Sequence, residues 1–164
     1  MTKYLFSIIL ACGLIIQTGC LQNSNETKSC YSDNLSGKEK VFTKMLDKPH
    51  FAGGHDSLVS FLSANINFEK FTGGFFWDEK TYSDTARIKF IVNKQGGISA
   101  LSIETTKKKR FADEVTRVIK KSSCNWVAGG SGELVNGWHR FDIYYSIEKP
   151  SENELKTTMT VNEL

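Results

Sequence analysis

Proline is almost missing from this chain of 164 residues: there are only two, which excludes a stiff polyproline arm. Charge of one sign is lacking as well, since Lys+Arg 21 against Asp+Glu 18 leaves a formal net charge of +3. So small a surplus argues against nucleic acid as a partner, because neutralising phosphates takes many cations gathered on one face. Long hydrophobic runs are lacking too. The run Tyr4 to Ile16 has 13 residues, and as a helix it would rise only ~20 Å against a hydrocarbon core of roughly 30 Å. What is there is 40% hydrophobic and 24% charged residues, too apolar for a disordered chain and too polar for a membrane bundle. The length fits one ordinary domain and disfavours a multidomain enzyme.

The amino terminus has the layout of an export signal. Lys3 supplies a positive start, the Tyr4–Ile16 run an apolar centre, and Gln17-Thr18-Gly19 a stretch running into Cys20. This end resembles the lipobox of bacterial lipoproteins, with Gln17 where a leucine-like residue is usual. The resemblance implies cleavage after residue 19, lipidation of Cys20, and a cell-envelope protein anchored by acyl chains and facing the periplasm. An ordinary cleaved signal would release the same domain unanchored. Acyl chains hold strongly because each buried CH₂ contributes ~0.8 kcal/mol.

With Cys12 in the leader and Cys20 at the lipid site, two cysteines are left in an oxidising compartment, Cys30 and Cys124. They either form a bridge across a long loop or remain two thiols, and the sequence leaves both readings open. Neither has a close cysteine neighbour, so no zinc site is expected.

Residues 20–48 are polar and read as a tether, with the folded domain over 49–148 and a loose polar tail over 149–164. Asp56-Ser57 can cap a helix carrying Leu58, Phe61, Leu62 and Ile66 on one stripe. Residues 67–84, with an aromatic run, read as an extra strand or a cover over the core. Thr85 to Asn93 alternates as a strand, with Ala86, Ile88, Phe90 and Val92 on one face. Asn93–Gly97 is a hairpin loop, and Ile98–Thr105 returns with a spacing that calls for a bulge. Phe111, Val115, Val118 and Ile119 mark a second helix ending at Lys121. After a glycine-rich loop, the Trp138–Ile147 strand places His139, Phe141, Ile143, Tyr145 and Ile147 on one face. The expected fold is an α+β two-layer sandwich, a three-stranded antiparallel sheet with two helices on one face, in the order α-β-β-α-β.

Five segments in this order resemble the C-terminal domain of TonB, in the short versions of the Bacteroidota. They are Pro49-His50-Phe51-Ala52-Gly53-Gly54, the helix Leu58 to Ile66, and Ile88–Val92 with its Asn93-Lys94-Gln95-Gly96-Gly97-Ile98 turn. Trp126-Val127-Ala128-Gly129 and Asn136-Gly137 with the final strand complete the set. Two departures are Ala52 and Ala128, where the family carries proline, and the Tyr-Pro segment after the first helix is replaced by Phe68 and the aromatic insert to Tyr82. Upstream, the family's energy transducers have an inner-membrane helix and a proline-rich arm, whereas this chain has a lipid cysteine and a short tether. The resemblance therefore implies the fold and a binding role, not energy transduction.

It also implies that the last strand can pair with an extended segment of an outer-membrane receptor. In such strand addition, unpaired backbone groups on an edge take up a peptide and alternate side chains tune the choice. The tuning residues here would be Trp138, Arg140, Asp142 and Tyr144. Cover by the tail or by a second copy, as a homodimer, is the alternative. No cofactor, metal set or catalytic residue is expected. His50 and His55 flank a turn without a third ligand, His139 sits on an apolar face, and no triad or paired-carboxylate pattern appears. The Gly129–Gly132 stretch lacks the Lys-Ser/Thr of a phosphate cradle and reads as a mobile loop. The Lys107–Arg110 run reads as a solvated loop, or as a contact for anionic headgroups or an acidic protein surface. A lipid-anchored protein-binding module associated with outer-membrane transport, not an enzyme, is the expected function. A structural or regulatory envelope lipoprotein that keeps the fold without receptor binding is the alternative.

Overall fold

The computed structural model describes residues 30–33, 39–73, 80–151 and 153–164. The signal, the lipid-site Cys20, most of the tether and the aromatic run at 75–77 lie outside the described residues. Among the described residues the order is β1 (Val41–Phe42), β2 (His50–Phe51), α1 (Gly54–Asn65), α2 (Glu69–Thr72), β3 (Thr81–Val92) and β4 (Ile98–Thr105). Then come α3 (Lys109–Lys121), β5 (Trp126–Val127), β6 (Asn136–Ser151) and β7 (Glu154–Glu163).

This corrects the expected three strands and two helices. The main sheet is five-stranded, in the order β1-β6-β3-β4 with β7 also pairing β6, and β2 and β5 form a separate two-stranded ribbon. It is a mixed sheet, because β1 runs parallel to β6 while the other pairs are antiparallel. The extra strands have physical reasons. β1, β2 and β5 span two residues each and depend wholly on their partners. β7 replaces the expected loose tail: Thr157, Thr158, Thr160 and Val161 are β-branched and favour extended backbone, with Val161 buried and Met159 packed against the core.

β3 starts at Thr81, earlier than the alternation of apolar residues suggests, because the inward position 84 is an aspartate. Asp84 is buried but satisfied. Its carboxylate accepts from the backbone N–H of Thr85 (2.8 Å) and Lys108 (3.0 Å) and from Thr106 Oγ1 (3.2 Å), so it anchors the loop that leads into α3. The bulge expected in the return strand is present. The β3–β4 register shifts between Lys89 and Ile91, and Ala100 opposite takes φ 50. In the hairpin, Gly96 at φ 79 makes the turn while Asn93 Oδ1 accepts from the N–H of Gln95 (3.0 Å) and Gly97 (2.8 Å).

α1 begins at Gly54, ahead of the expected Asp56-Ser57 cap. Gly53 and Gly54 at φ 84 and φ 80 swing the chain into the helix, and Ser57 Oγ donates to the Gly53 carbonyl (3.0 Å). Leu58 and Leu62 of α1 meet Phe111, Val115, Val118 and Ile119 of α3 over Ile88, Phe90, Phe141, Ile143 and Ile147 of the sheet, in one core. Glu114 of α3 ties the helices together. Arg117 holds it at two points (2.8 and 2.6 Å), the Asn67 N–H donates to it (2.8 Å), and Arg117 Nη2 also reaches the Asn65 carbonyl (2.7 Å). In the 67–84 stretch, α2 acts as a cover: Phe71 lies 5.2–5.4 Å from the rings of Tyr82, Phe111 and Tyr145. The other end of that stretch is the start of β3.

Cys30 and Cys124 form a disulfide with Cα atoms 5.3 Å apart. Ser32, just past the bridge, stays on the sheet, donating its N–H to the Ile98 carbonyl (3.0 Å). The glycine-rich segment is not loose either. Gly130 exchanges two backbone hydrogen bonds with Asp47 (3.0 and 2.9 Å), and the Val135 N–H donates to the Gly129 carbonyl (2.9 Å).

Candidate functional site

Helices α1 and α3 pack on the inward face of the sheet, so the outward face of β3 and β6 is the one turned to solvent. Trp138, Arg140, Asp142 and Tyr144 all stand on that face, as the alternation of β6 requires. Their chemistry is largely taken up internally. Asp142 sits directly opposite Arg87 in the register, and the two make a bidentate pair at 2.8 Å in both arms. The Arg87 hydrogen bonds hold the Asp142 carboxyl below the usual carboxylate range, against a smaller push upward from burial. Lys89 and Arg140 face each other, a like-charge pair. Arg140 turns to Glu104 of β4 (Nε–Oε2 2.7 Å), and Lys89 lies over the Trp138 ring, 4.3 Å from its centroid. Tyr144, flanked by Thr85 and Thr160, is 40% exposed.

β6 is not an edge, which overturns the expected pairing site. β3 runs along one side of β6 from Gly137 to Glu148. On the other side β1 takes Asn136–Gly137 and β7 takes Phe141–Ser151. The chain's own tail occupies the side where an incoming strand was expected. The outer strands of the sheet are β4 on one side and, along β6 on the other, β7 and the two-residue β1. β4 is bulged and has the Ser32–Ser99 bridge at its start, features that blunt an edge. Among the described residues β7 pairs with β6 alone over ten residues.

The geometry defines which β7 groups are left over. The Leu164 N–H donates to the Arg140 carbonyl (3.0 Å), and Asp142 is opposite Asn162. Alternate residues of an antiparallel strand exchange bonds with the same neighbour. Lys156, Thr158, Thr160 and Asn162 therefore face β6, and Thr157, Met159 and Val161 direct their N–H and C=O groups outward. Leu155, 46% exposed, lies at the start of this edge. The sequence offered only a weak sign of it, the alternation of Leu155, Thr157, Met159 and Val161.

A second feature lies where β1 and β7 fail to meet along β6. Trp138 and His139 fall at this seam, and the Thr43–Lys48 segment loops over it, pinned by the Asp47–Gly130 pair. The result is a cavity of about 430 Å³ lined by Lys44, Met45, Lys48, Lys89, Trp138, His139, Arg140 and others. His139 is 4% exposed, its ring 4.9–5.6 Å from those of Phe90, Trp126 and Phe141, and its Nε2 has no hydrogen-bond partner. Burial first, then the charges of Lys48 and His50, lowers its pKa to about 4, so the imidazole is neutral at physiological pH.

The remaining sequence candidates are dispersed. His50 Nδ1 lies 3.3 Å from the Lys48 carbonyl, and His55 is in the first turn of α1. Among the described residues no group of three or more His, Cys, Asp or Glu side chains gathers. In the basic run, Lys108 lies over the Tyr82 ring (4.0 Å) and Lys109 pairs with Asp113 (2.7 Å). The Pro49–Gly54 and Trp126–Gly129 segments meet as the β2–β5 ribbon, Phe51 edge-on to Trp126 at 5.4 Å. Comparison of the chain with protein-family models, with curated proteins and with solved structures finds no match in any of the three.

Proposed function

We propose that this chain is a lipid-anchored, periplasm-facing protein-binding module resembling the TonB C-terminal domain, allied to outer-membrane transport and neither an enzyme nor an energy transducer. The observation that carries the reading is the β7 edge: a ten-residue strand that, among the described residues, is paired on one side only. Such an edge takes up an extended segment through backbone hydrogen bonds, each with a net gain of about 0.5–1.5 kcal/mol. The partner is a periplasmic segment of an outer-membrane receptor, lying along Thr157, Met159 and Val161.

The test is capture of envelope proteins by the full chain and by two proline variants. Thr157→Pro removes an outward N–H and leaves the β6 ladder whole, whereas Thr158→Pro removes an N–H directed at β6. Loss of capture by a Thr157→Pro variant with unchanged circular dichroism supports the reading. Undiminished capture by that variant overturns it. The anchor is tested separately by Cys20→Ala: a variant still extracted only with detergent refutes lipidation at that residue. The alternative, an envelope lipoprotein with a structural or regulatory role, is favoured by one observation. The ion pairs Arg87–Asp142 and Arg140–Glu104 satisfy the outward face from within.

A further inference from the structure

The seam cavity is built from parts that are distant in sequence and similar in charge. Lys44 and Lys48 come from the segment after β1, Lys89 from β3 and Arg140 from β6. No Asp or Glu is among the described lining residues, which include Leu164 at the end of the sequence. Lys89 and Arg140 are directly opposed in the sheet, an arrangement that is unfavourable unless something answers the charge. Among the described residues, Arg140 is the one of these four whose charge meets a side-chain carboxylate, Glu104. Lys89 rests on the Trp138 ring, and Lys48 makes a long contact of 3.4 Å with the Leu164 backbone oxygen. Behind them His139 offers a buried, neutral ring with an unpartnered Nε2.

We propose that this cavity binds a small organic oxyanion, its charged group held by Lys44, Lys48 and Lys89 and its apolar body laid against Trp138 and Met45. A volume of about 430 Å³ falls within the roughly 300–1,000 Å³ of small-molecule sites. Cations lining a concave wall of low dielectric focus their field into the space between them, so an anion there gains more than at an open surface. The contact of Lys89 with Trp138 is the resting arrangement, and the oxyanion replaces it as the lysine's partner while the indole face receives the ligand's body. The site is independent of the β7 edge and stands whether or not that edge binds a protein.

His139 reports occupancy. The charges acting on it are those of Lys48 and His50, and the rings of Phe90, Trp126 and Phe141 pack around it; Lys44, Lys89 and Arg140 line the same cavity. A bound anion offsets the cations in this set, so the His139 titration midpoint rises when the site fills.

The experiment is a titration of the full chain with phenyl phosphate, benzoate and inorganic phosphate, following the His139 ring protons by NMR and Trp138 through its indole signal. The expected result is saturable binding of at least one aromatic oxyanion, tighter than inorganic phosphate, with an upward shift of the His139 midpoint. Phenyl phosphate and benzoate distinguish the phosphate from the carboxylate. Lys48→Gln and Lys89→Gln should each weaken binding about tenfold, the effect of removing one charge-assisted hydrogen bond. Lys109→Gln, the same charge change on α3 beside Asp113, should leave affinity unchanged. Absence of saturable binding by all three probes overturns the proposal, as does equal weakening by Lys109→Gln.

Discussion

Replacing His139 with phenylalanine should remove much of the acid sensitivity of this domain. The imidazole is buried among Phe90, Trp126 and Phe141, with its pKa lowered from 6.5 to about 4. Above 6.5 the ring is neutral in both the folded and the unfolded chain. As pH falls below 6.5 the unfolded chain takes up a proton that the folded one refuses until pH 4, so stability is lost across that window and levels off below it. A shift of this size corresponds to about 3 kcal/mol in full, of which about 2.5 kcal/mol is lost by about pH 4.5. Phenylalanine keeps an aromatic ring in the cluster and cannot titrate. The assay is urea unfolding followed by tryptophan fluorescence at about pH 7 and about pH 4.5, with the disulfide intact in both proteins. Carboxylates titrate in both, so the difference between the two pH dependences isolates position 139. The wild type should lose about 2.5 kcal/mol more than His139→Phe between the two conditions. Equal losses would refute the reasoning and place the ring in a wetter site than its packing indicates.

Reduction or Cys30→Ala should lower stability by about 4–5 kcal/mol on chain entropy alone, because the bridge spans a sequence separation of 94; an unchanged urea midpoint would contradict this. Glu114→Gln leaves a guanidinium facing a neutral amide in a place where the side chain is 3% exposed, and should cost about 2 kcal/mol. Burial pushes the Glu114 carboxyl up, but the hydrogen bonds from Arg117 and the Asn67 N–H and the charge of Lys70 carry it below 4.5. Its contribution is therefore present above 4.5 and fades as pH falls through the lowered value, and the variant should have the shallower acid limb in the same urea series. Phe71→Ala opens a cavity under α2 and should cost about 3 kcal/mol; a loss under about 1 kcal/mol would mean that this turn does not cover the core.

The parts of the fold legible in the sequence were those with a clean period. Ile88, Phe90 and Val92, then Phe141, Ile143 and Ile147, alternate and are all fully buried, and Phe111, Val115, Val118 and Ile119 form the buried stripe of α3. What escaped was structure that depends on distant partners. β1, β2 and β5 are two residues long and carry no period. β7 looks like a polar tail because only Val161 is buried in it, and its order comes from the β6 ladder. That one strand changes the functional reading, since it covers the side of β6 on which a receptor segment was expected and presents a new edge of its own. Asp84 hid the start of β3 because an acid on an inward position looks like a turn until its backbone partners are known. The placement of Trp138, Arg140, Asp142 and Tyr144 on one outward face followed from alternation alone, but their cross-strand partners did not. Nothing local links Lys44 and Lys48 to Lys89; the β3–β6 register sets Lys89 beside Arg140, and the β1–β6 pairing with the Asp47–Gly130 bonds brings Lys44 and Lys48 to the same cavity.

The central claim is that β7 is the edge that takes up an extended partner, and amide hydrogen exchange measures this directly. With the full chain, exchange is compared before and after addition of an extended periplasmic segment of a TonB-dependent receptor. The account predicts that the N–H groups of Thr157, Met159 and Val161, which point away from β6, gain protection, while those of Thr158 and Thr160, already bonded to β6, change little. Protection confined to the Lys107–Arg110 run at the start of α3, or none along β7 at saturating segment, would contradict it.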